Sequence, residues 1–154
     1  MKRWIGIDPG EKGSLAMISE EGEIEIYPLE NEILIQKCKE WKADECVCCL
    51  EKVGVMPKQG ISSSGKFMKG VGFIQGVLEA LSIPYQEIIP ARWKSEFSCN
   101  LGKDATSKQK KQADVDACRK LYPDILLRRT ARSRADWADA ADAILMATYA
   151  KRKF

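Results

Sequence analysis

Hydrophobic and polar positions follow a strand rhythm near the N-terminus and a helical one further along. Trp4-Ile5-Gly6-Ile7 is an apolar run closed by Asp8 and then by Pro9-Gly10. Pro9 has no amide hydrogen for a ladder and Gly10 tolerates positive φ, so a first strand must stop there and leave Asp8 on a rim. Ser14–Ser19 reads as a second strand, and Gly22 turns it into the alternating Glu23–Tyr27. In that third strand Ile24 and Ile26 share one face, and Glu23 and Glu25 are expected to face solvent. Residues 30–42 space Ile33, Leu34, Lys37, Cys38 and Trp41 as a covering helix. Cys46–Glu51 is again apolar throughout and again ends on an acid, as a strand buried on both faces would.

A Gly-, Ser- and Lys-rich loop from Lys52 to Gly65 leads to a helix that Ser63 or Ser64 is expected to cap. Its apolar stripe is Phe67, Val71, Ile74 and Leu78. Gly70, Gly72 and Gly76 give it a flat face, for tight packing on the sheet or for a dimer, with the dimer preferred. Tyr85–Ile89 is a fifth strand stopped by Pro90, and Ala91–Lys94 begins a short helical turn. Residues 105–121 predict a helix with Ala113, Ala117, Cys118 and Leu121 inward, ended by Pro123. A last helix over Ser133–Lys151 places Trp137, Ala141, Ile144, Leu145 and Thr148 on one stripe. The fold class is therefore α/β, a mixed five-stranded sheet with an antiparallel three-strand meander and two parallel strands, flanked by helices.

If the fourth strand lies parallel beside the first, Glu51 and Asp8 emerge at the same carboxyl edge of the sheet. Asp136, Asp139 and Asp142 recur every three residues on the last helix, with Asp136 expected in its first turn as a capping acid. The alanines around Asp139 and Asp142 let that helix approach the sheet and bring its acids toward the strand ends. Carboxylates so close repel one another unless a cation lies between them. All-oxygen ligation selects hard divalent ions, magnesium or manganese. The competing assignments are a plain Asp-Pro-Gly turn at Asp8, a lysine partner for Glu51, and salt bridges from the helix acids to the arginines of residues 128–134.

At 154 residues the chain is read as one domain, residues 1–154. It contains no histidine, which excludes Ser-His, Cys-His and His-metal chemistry. Cys46 and Cys49 form a C-x-x-C inside a strand pattern with no second pair, and the six cysteines are expected as reduced thiols. No apolar stretch reaches the roughly 20 residues of a membrane span. The early strand leaves no room for a signal peptide, so a cytoplasmic location is expected. Net charge is only +3, yet Lys103, Lys108, Lys110, Lys111 and the arginines at 128, 129, 132 and 134 crowd the C-terminal third, which points to a polyanionic partner.

The order strand-acid, strand-acid, helix D-x-x-D resembles the RNase H-like nucleases, and most closely the RuvC family of Holliday-junction resolvases. The residues that carry it are Ile5-Gly6-Ile7-Asp8-Pro9-Gly10, Leu50-Glu51-Lys52-Val53 and Asp139-Ala140-Ala141-Asp142-Ala143. The resemblance implies a single RNase H-like nuclease domain with Asp8, Glu51, Asp139 and Asp142 as its catalytic, metal-binding acids. It implies two Mg2+ ions per site, with Mn2+ as a substitute, hydrolysing phosphodiesters of Holliday junctions or other branched DNA to 5′-phosphate products. It also implies a homodimer, and DNA or catalytic contacts from Lys94 and from Lys108, Lys110 or Lys111. The family places an aromatic shortly after its second acid; here Gly54-Val55-Met56-Pro57 offers only Met56 as a wedge. That departure leaves room for a broader branched-DNA nuclease. An RNA-processing or RNA–DNA hybrid nuclease of the same fold and a non-catalytic junction-binding module are the alternatives. The Asp-Pro-Gly strand end also resembles the phosphate turn of sugar-kinase and actin-like ATPases, whose second lobe does not fit in this length.

Overall fold

The strand and helix rhythms resolve into five strands and five helices in a computed structural model that describes residues 1–54 and 60–154. Met56, the expected wedge, lies outside the described residues. The strands are β1 (Lys2–Asp8), β2 (Ser14–Ser19), β3 (Ile24–Pro28), β4 (Glu45–Glu51) and β5 (Tyr85–Ile88). The helices are α1 (Asn31–Trp41), α2 (Ile61–Ala80), α3 (Pro90–Glu96), α4 (Ser107–Leu121) and α5 (Ala138–Lys153). The five strands form one sheet in the order β3-β2-β1-β4-β5. β1–β2 and β2–β3 are antiparallel, whereas β1–β4 and β4–β5 are parallel. The mixed five-stranded α/β sheet expected from the sequence is the one present.

The period-two alternation of the strands sorts their side chains into two cores. Ile5, Ile7, Leu15, Met17, Cys48 and Leu50 face α1 and α2, where Leu34, Trp41, Ile74 and Leu78 meet them. Trp4, Ala16, Ile18 and Cys49 face the opposite layer, made by α3, α4 and α5. Cys46 and Cys49 therefore project to opposite sides of the sheet, and a three-residue spacing on a strand cannot bring both thiols to one metal.

α5 is the central helix, with every residue from Ala143 to Ala150 buried. It lies directly on β1 because Gly6 has no side chain: a methyl group there would overlap the Ala143 carbonyl and the Ala147 amide. Ser14 Oγ, fully buried on β2, donates to the Asp139 carbonyl at 2.5 Å and pins the first turn of α5 to the sheet.

Several local expectations are corrected. The last helix starts at Ala138, not Ser133, because the Trp137 amide is already committed to the Leu127 carbonyl at 2.9 Å. Asp136 is thus outside the helix and caps nothing; both its oxygens accept from Arg119, at 2.6 and 3.0 Å. The N-cap of α2 is Gly60, so Ser63 and Ser64 lie within the first helical turns and neither caps it. Glu25 is not turned to solvent: it accepts from Tyr27, Lys37 and Trp41 and ties β3 to α1. Those bonds, opposing its burial, hold Glu25 below the usual carboxylate range. Gly70, Gly72 and Gly76 are exposed, with no heavy atom from elsewhere among the described residues within 4 Å of where a Cβ would stand, so none of the three packs on the sheet.

Candidate metal centre

The parallel register sets the first pair of acids. Ile7 stands beside Leu50, so the next residues, Asp8 and Glu51, leave β1 and β4 side by side at the carboxyl edge. Both belong to the strand face that meets α5, because Gly6 and Cys49 two positions earlier face that layer. The chain breaks away at once: Gly10 has φ of 137°, a value open to glycine, and its carbonyl accepts the Gly13 amide at 3.1 Å. Asp139 lies in the first turn of α5 and Asp142 one turn on.

These elements gather Asp8, Asp139 and Asp142 so that one carboxylate oxygen of each lies within 4.8 Å of the others. Glu51 stands beside Asp8 but leans toward α3, where Trp93 Nε1 donates to its Oε1 at 3.1 Å. Burial, then the charges of Glu51 and Asp139, push the Asp8 carboxyl well above its ordinary value. Asp142 is raised well above its own by burial and by the neighbouring Asp114, with Lys94 opposing. Burial also raises Glu51, against the Trp93 hydrogen bond and the charge of Lys94. Asp142 Oδ1 is buried without a hydrogen-bond partner among the described residues. Three convergent carboxylates, one with an orphaned oxygen, fit a hard divalent cation.

Of the expected DNA-contacting lysines, Lys94 is not a surface cation. Its side chain is 18% exposed, and its ammonium lies 2.5 Å from Asp114 Oδ2 and 4.8 Å from the Trp93 ring centre. Burial works against that charge, yet Asp142 and Asp114 hold the Lys94 pKa above its ordinary value. Lys111 reaches Asp139 Oδ1 at 3.7 Å from an otherwise exposed position, whereas Lys108 is exposed and Lys110 partly so. Arg128, Arg129, Arg132 and Arg134 are all exposed, on the segment before α5. Asp114 was not singled out from the sequence, although it is 1% exposed and belongs to the network. The signal was present: Asp114, Cys118 and Leu121 fall on one inward stripe of α4, and an acid on an apolar stripe is itself informative.

The acids make metal-free stability depend on pH with a definite sign. Asp8, Asp142 and Glu51, with ordinary values of 3.8, 3.8 and 4.5, hold protons more tightly folded than unfolded. Their contribution is full below those ordinary values and is lost as pH rises through the raised ones. Glu25 and Glu96, which are lowered, act oppositely but only below 4.5. The melting temperature of metal-free protein is therefore expected to fall from about pH 5 toward neutrality, and Mn2+ to restore it. A melting temperature that rises over that window, unmoved by Mn2+, would show the acids to be compensated within the protein.

A central mixed sheet of this order, with acids at the ends of its first and fourth strands and on a helix laid across them, is the RNase H-like fold class expected from the sequence. No protein-family model and no curated protein sequence matches the chain. Among solved structures it is similar to Thermus thermophilus RuvC, with a TM-score of 0.58 and 14% identity over 97% of this chain and 95% of that one. It is similar also to T. thermophilus RuvC in complex with Holliday junction substrate, at TM-score 0.59 and 16% identity, covering 99% and 96%. The chain thus shares the RuvC fold across nearly its whole length.

Proposed function

We propose that this chain is a metal-dependent, structure-selective endonuclease that hydrolyses phosphodiester bonds in branched DNA, Holliday junctions among them. The observation that carries the reading is the convergence of Asp8, Asp139 and Asp142 at the edge where β1 ends, with Glu51 alongside. The full-length likeness to a RuvC structure bound to a Holliday junction supports the choice of substrate. The exposure of Lys108, Arg128, Arg129, Arg132 and Arg134 supports a polyanionic partner.

Two Mg2+ ions held by these acids, or Mn2+ in their place, would supply an activated water and offset charge on the leaving 3′ oxygen. Asp8, with Glu51 on one side and the helix acids on the other, would hold the metal together with them. Asp139 and Asp142 hold their oxygens on a helix fixed to the sheet, so the ligand geometry exists before substrate arrives. Trp93 orients Glu51 through its indole N–H. Lys94 places a positive charge beside the acids, where it opposes the negative charge that grows on a phosphate under attack. The products are 5′-phosphate and 3′-hydroxyl nicks.

A four-way junction has two-fold symmetry, so paired cuts need two sites and a homodimer. The open face of α2 around Gly72 and Gly76, flanked by Met68 at 44% and Phe73 at 37% exposure, is the surface we assign to that contact. Among the described residues no helix is long and apolar enough to cross a membrane, and the proposed setting is cytoplasmic DNA recombination and repair.

Incubation with Mg2+ and, side by side, a four-way junction, a fork, a linear duplex and an RNA–DNA hybrid tests the reading. Cutting is expected on the branched DNAs, abolished by chelation, with 5′-phosphate ends. Preference for the hybrid would move the assignment to an RNA-processing nuclease of the same fold. Binding to junctions with no cutting in either metal would leave a junction-binding module.

A further inference from the structure

Asp114 is the buried charge that the four-acid description leaves unused. It projects from α4 at 1% exposure, among Val115, Ala117 and Cys118, where an apolar side chain would complete the stripe. An ionised carboxylate in such a position is costly unless a partner compensates it. Its Oδ2 meets Lys94 Nζ across 20 residues of sequence at 2.5 Å, and its Oδ1 is buried with no hydrogen-bond partner among the described residues. Lys94, on α3, is thereby anchored from behind.

We infer that Asp114 is a positioning residue whose carboxylate holds the Lys94 ammonium back from Glu51 and Asp142, leaving those acids open to a cation. The inference rests on the nuclease reading for its catalytic part. Lys94 already bears electrostatically on Asp8, Glu51 and Asp142. Without Asp114, the nearest carboxylates for a half-buried ammonium are the metal-facing ones, and the lysine would compete with the ion for them. With Asp114 in place the Lys94–Asp114 pair is neutral. The charge of Lys94 stays near the reacting phosphate but is not spent on the ligands. Asp114 therefore tunes ion uptake and lysine placement from α4, without itself being a ligand.

The test uses full-length protein with Asp114→Asn and the double variant Asp114→Asn/Lys94→Met, which removes both charges of the pair together. Mn2+ affinity is read by electron paramagnetic resonance, folding by thermal unfolding, and cleavage by single-turnover rates at saturating four-way junction. Asp114→Asn is expected to weaken Mn2+ binding by about 10- to 100-fold, the usual cost of losing a group that orients metal ligands. The double variant is expected to recover Mn2+ affinity near that of the unmodified chain but to cleave slowly, because the ammonium is gone.

Mn2+ binding as weak in the double variant as in Asp114→Asn would make Asp114 a ligand and overturn the inference. Unchanged Mn2+ binding in Asp114→Asn with a lower unfolding temperature would reduce it to a packing residue and overturn it equally. If the unmodified chain binds Mn2+ but cuts no nucleic acid, the nuclease reading fails. The Mn2+ affinities of the two variants still decide the role of Asp114.

Discussion

Replacing Asp8 by Asn is expected to lower cleavage of branched DNA by more than about 100-fold, the upper end of what losing a mere supporting partner of a metal ligand costs. Junction binding is expected to persist or tighten. The substitution keeps the shape at the end of β1 but exchanges a carboxylate for an amide, which is a poor ligand and carries no charge. It also removes one of the anions that burial and Glu51 already force together, so the apo fold should be relieved, not damaged. Thermal unfolding of metal-free Asp8→Asn should accordingly occur at or above the temperature of the unmodified chain, while Mn2+ gives a smaller increase. Gel-shift and nicking assays on one four-way junction measure the two effects. Loss of binding together with cutting, in a protein that has also lost stability, would mean that Asp8 serves the turn and not a metal.

The second large effect is expected at Gly6, which touches no substrate. Gly6→Ala would drive a methyl group into the Ala143 carbonyl and the Ala147 amide, both backbone atoms of a buried helix that cannot rotate away. Overpacking of this kind costs about 3 kcal/mol at the upper end of its usual range, or roughly 6–12 °C in melting temperature for a chain of this size. Relief comes only from lifting α5 off β1, which moves Asp139 and Asp142 away from Asp8. Mn2+ affinity should therefore fall along with stability. Unaltered Mn2+ binding in a destabilised Gly6→Ala protein would show that the acids do not depend on that close approach.

Strand existence and type were set locally. The unbroken apolar run into Asp8, the matching run into Glu51 and the alternation of the third strand each reflect burial on one or both faces, and burial leaves its period in the sequence. The covering helices were legible for the same reason, and Asp139 and Asp142 could be placed on the helix that carries them. Where a segment's conformation is decided by a distant partner, its own sequence is silent. The start of α5 is fixed by the Leu127 carbonyl taking the Trp137 amide, and Asp136 is claimed by Arg119. Glu25 alternates as a solvent-facing residue would, yet Tyr27, Lys37 and Trp41 surround it.

The site divides in the same way. Chain order identified four acids, but which three gather within 4.8 Å and that Glu51 leans toward Trp93 depend on register and on how closely α5 lies on Gly6. The resemblance implies a DNA or catalytic contact for Lys94, and no reading of the sequence pairs that lysine with Asp114. Their meeting required α3 and α4 both to pack against α5. The sequence by itself determined the element types and marked the acids at the strand ends and on the last helix, because residue type and periodicity are local properties. Only the tertiary structure decided the α5–β1 contact, the grouping of the carboxylates and the burial of the Lys94–Asp114 pair, because these are properties of packing between segments far apart in the chain.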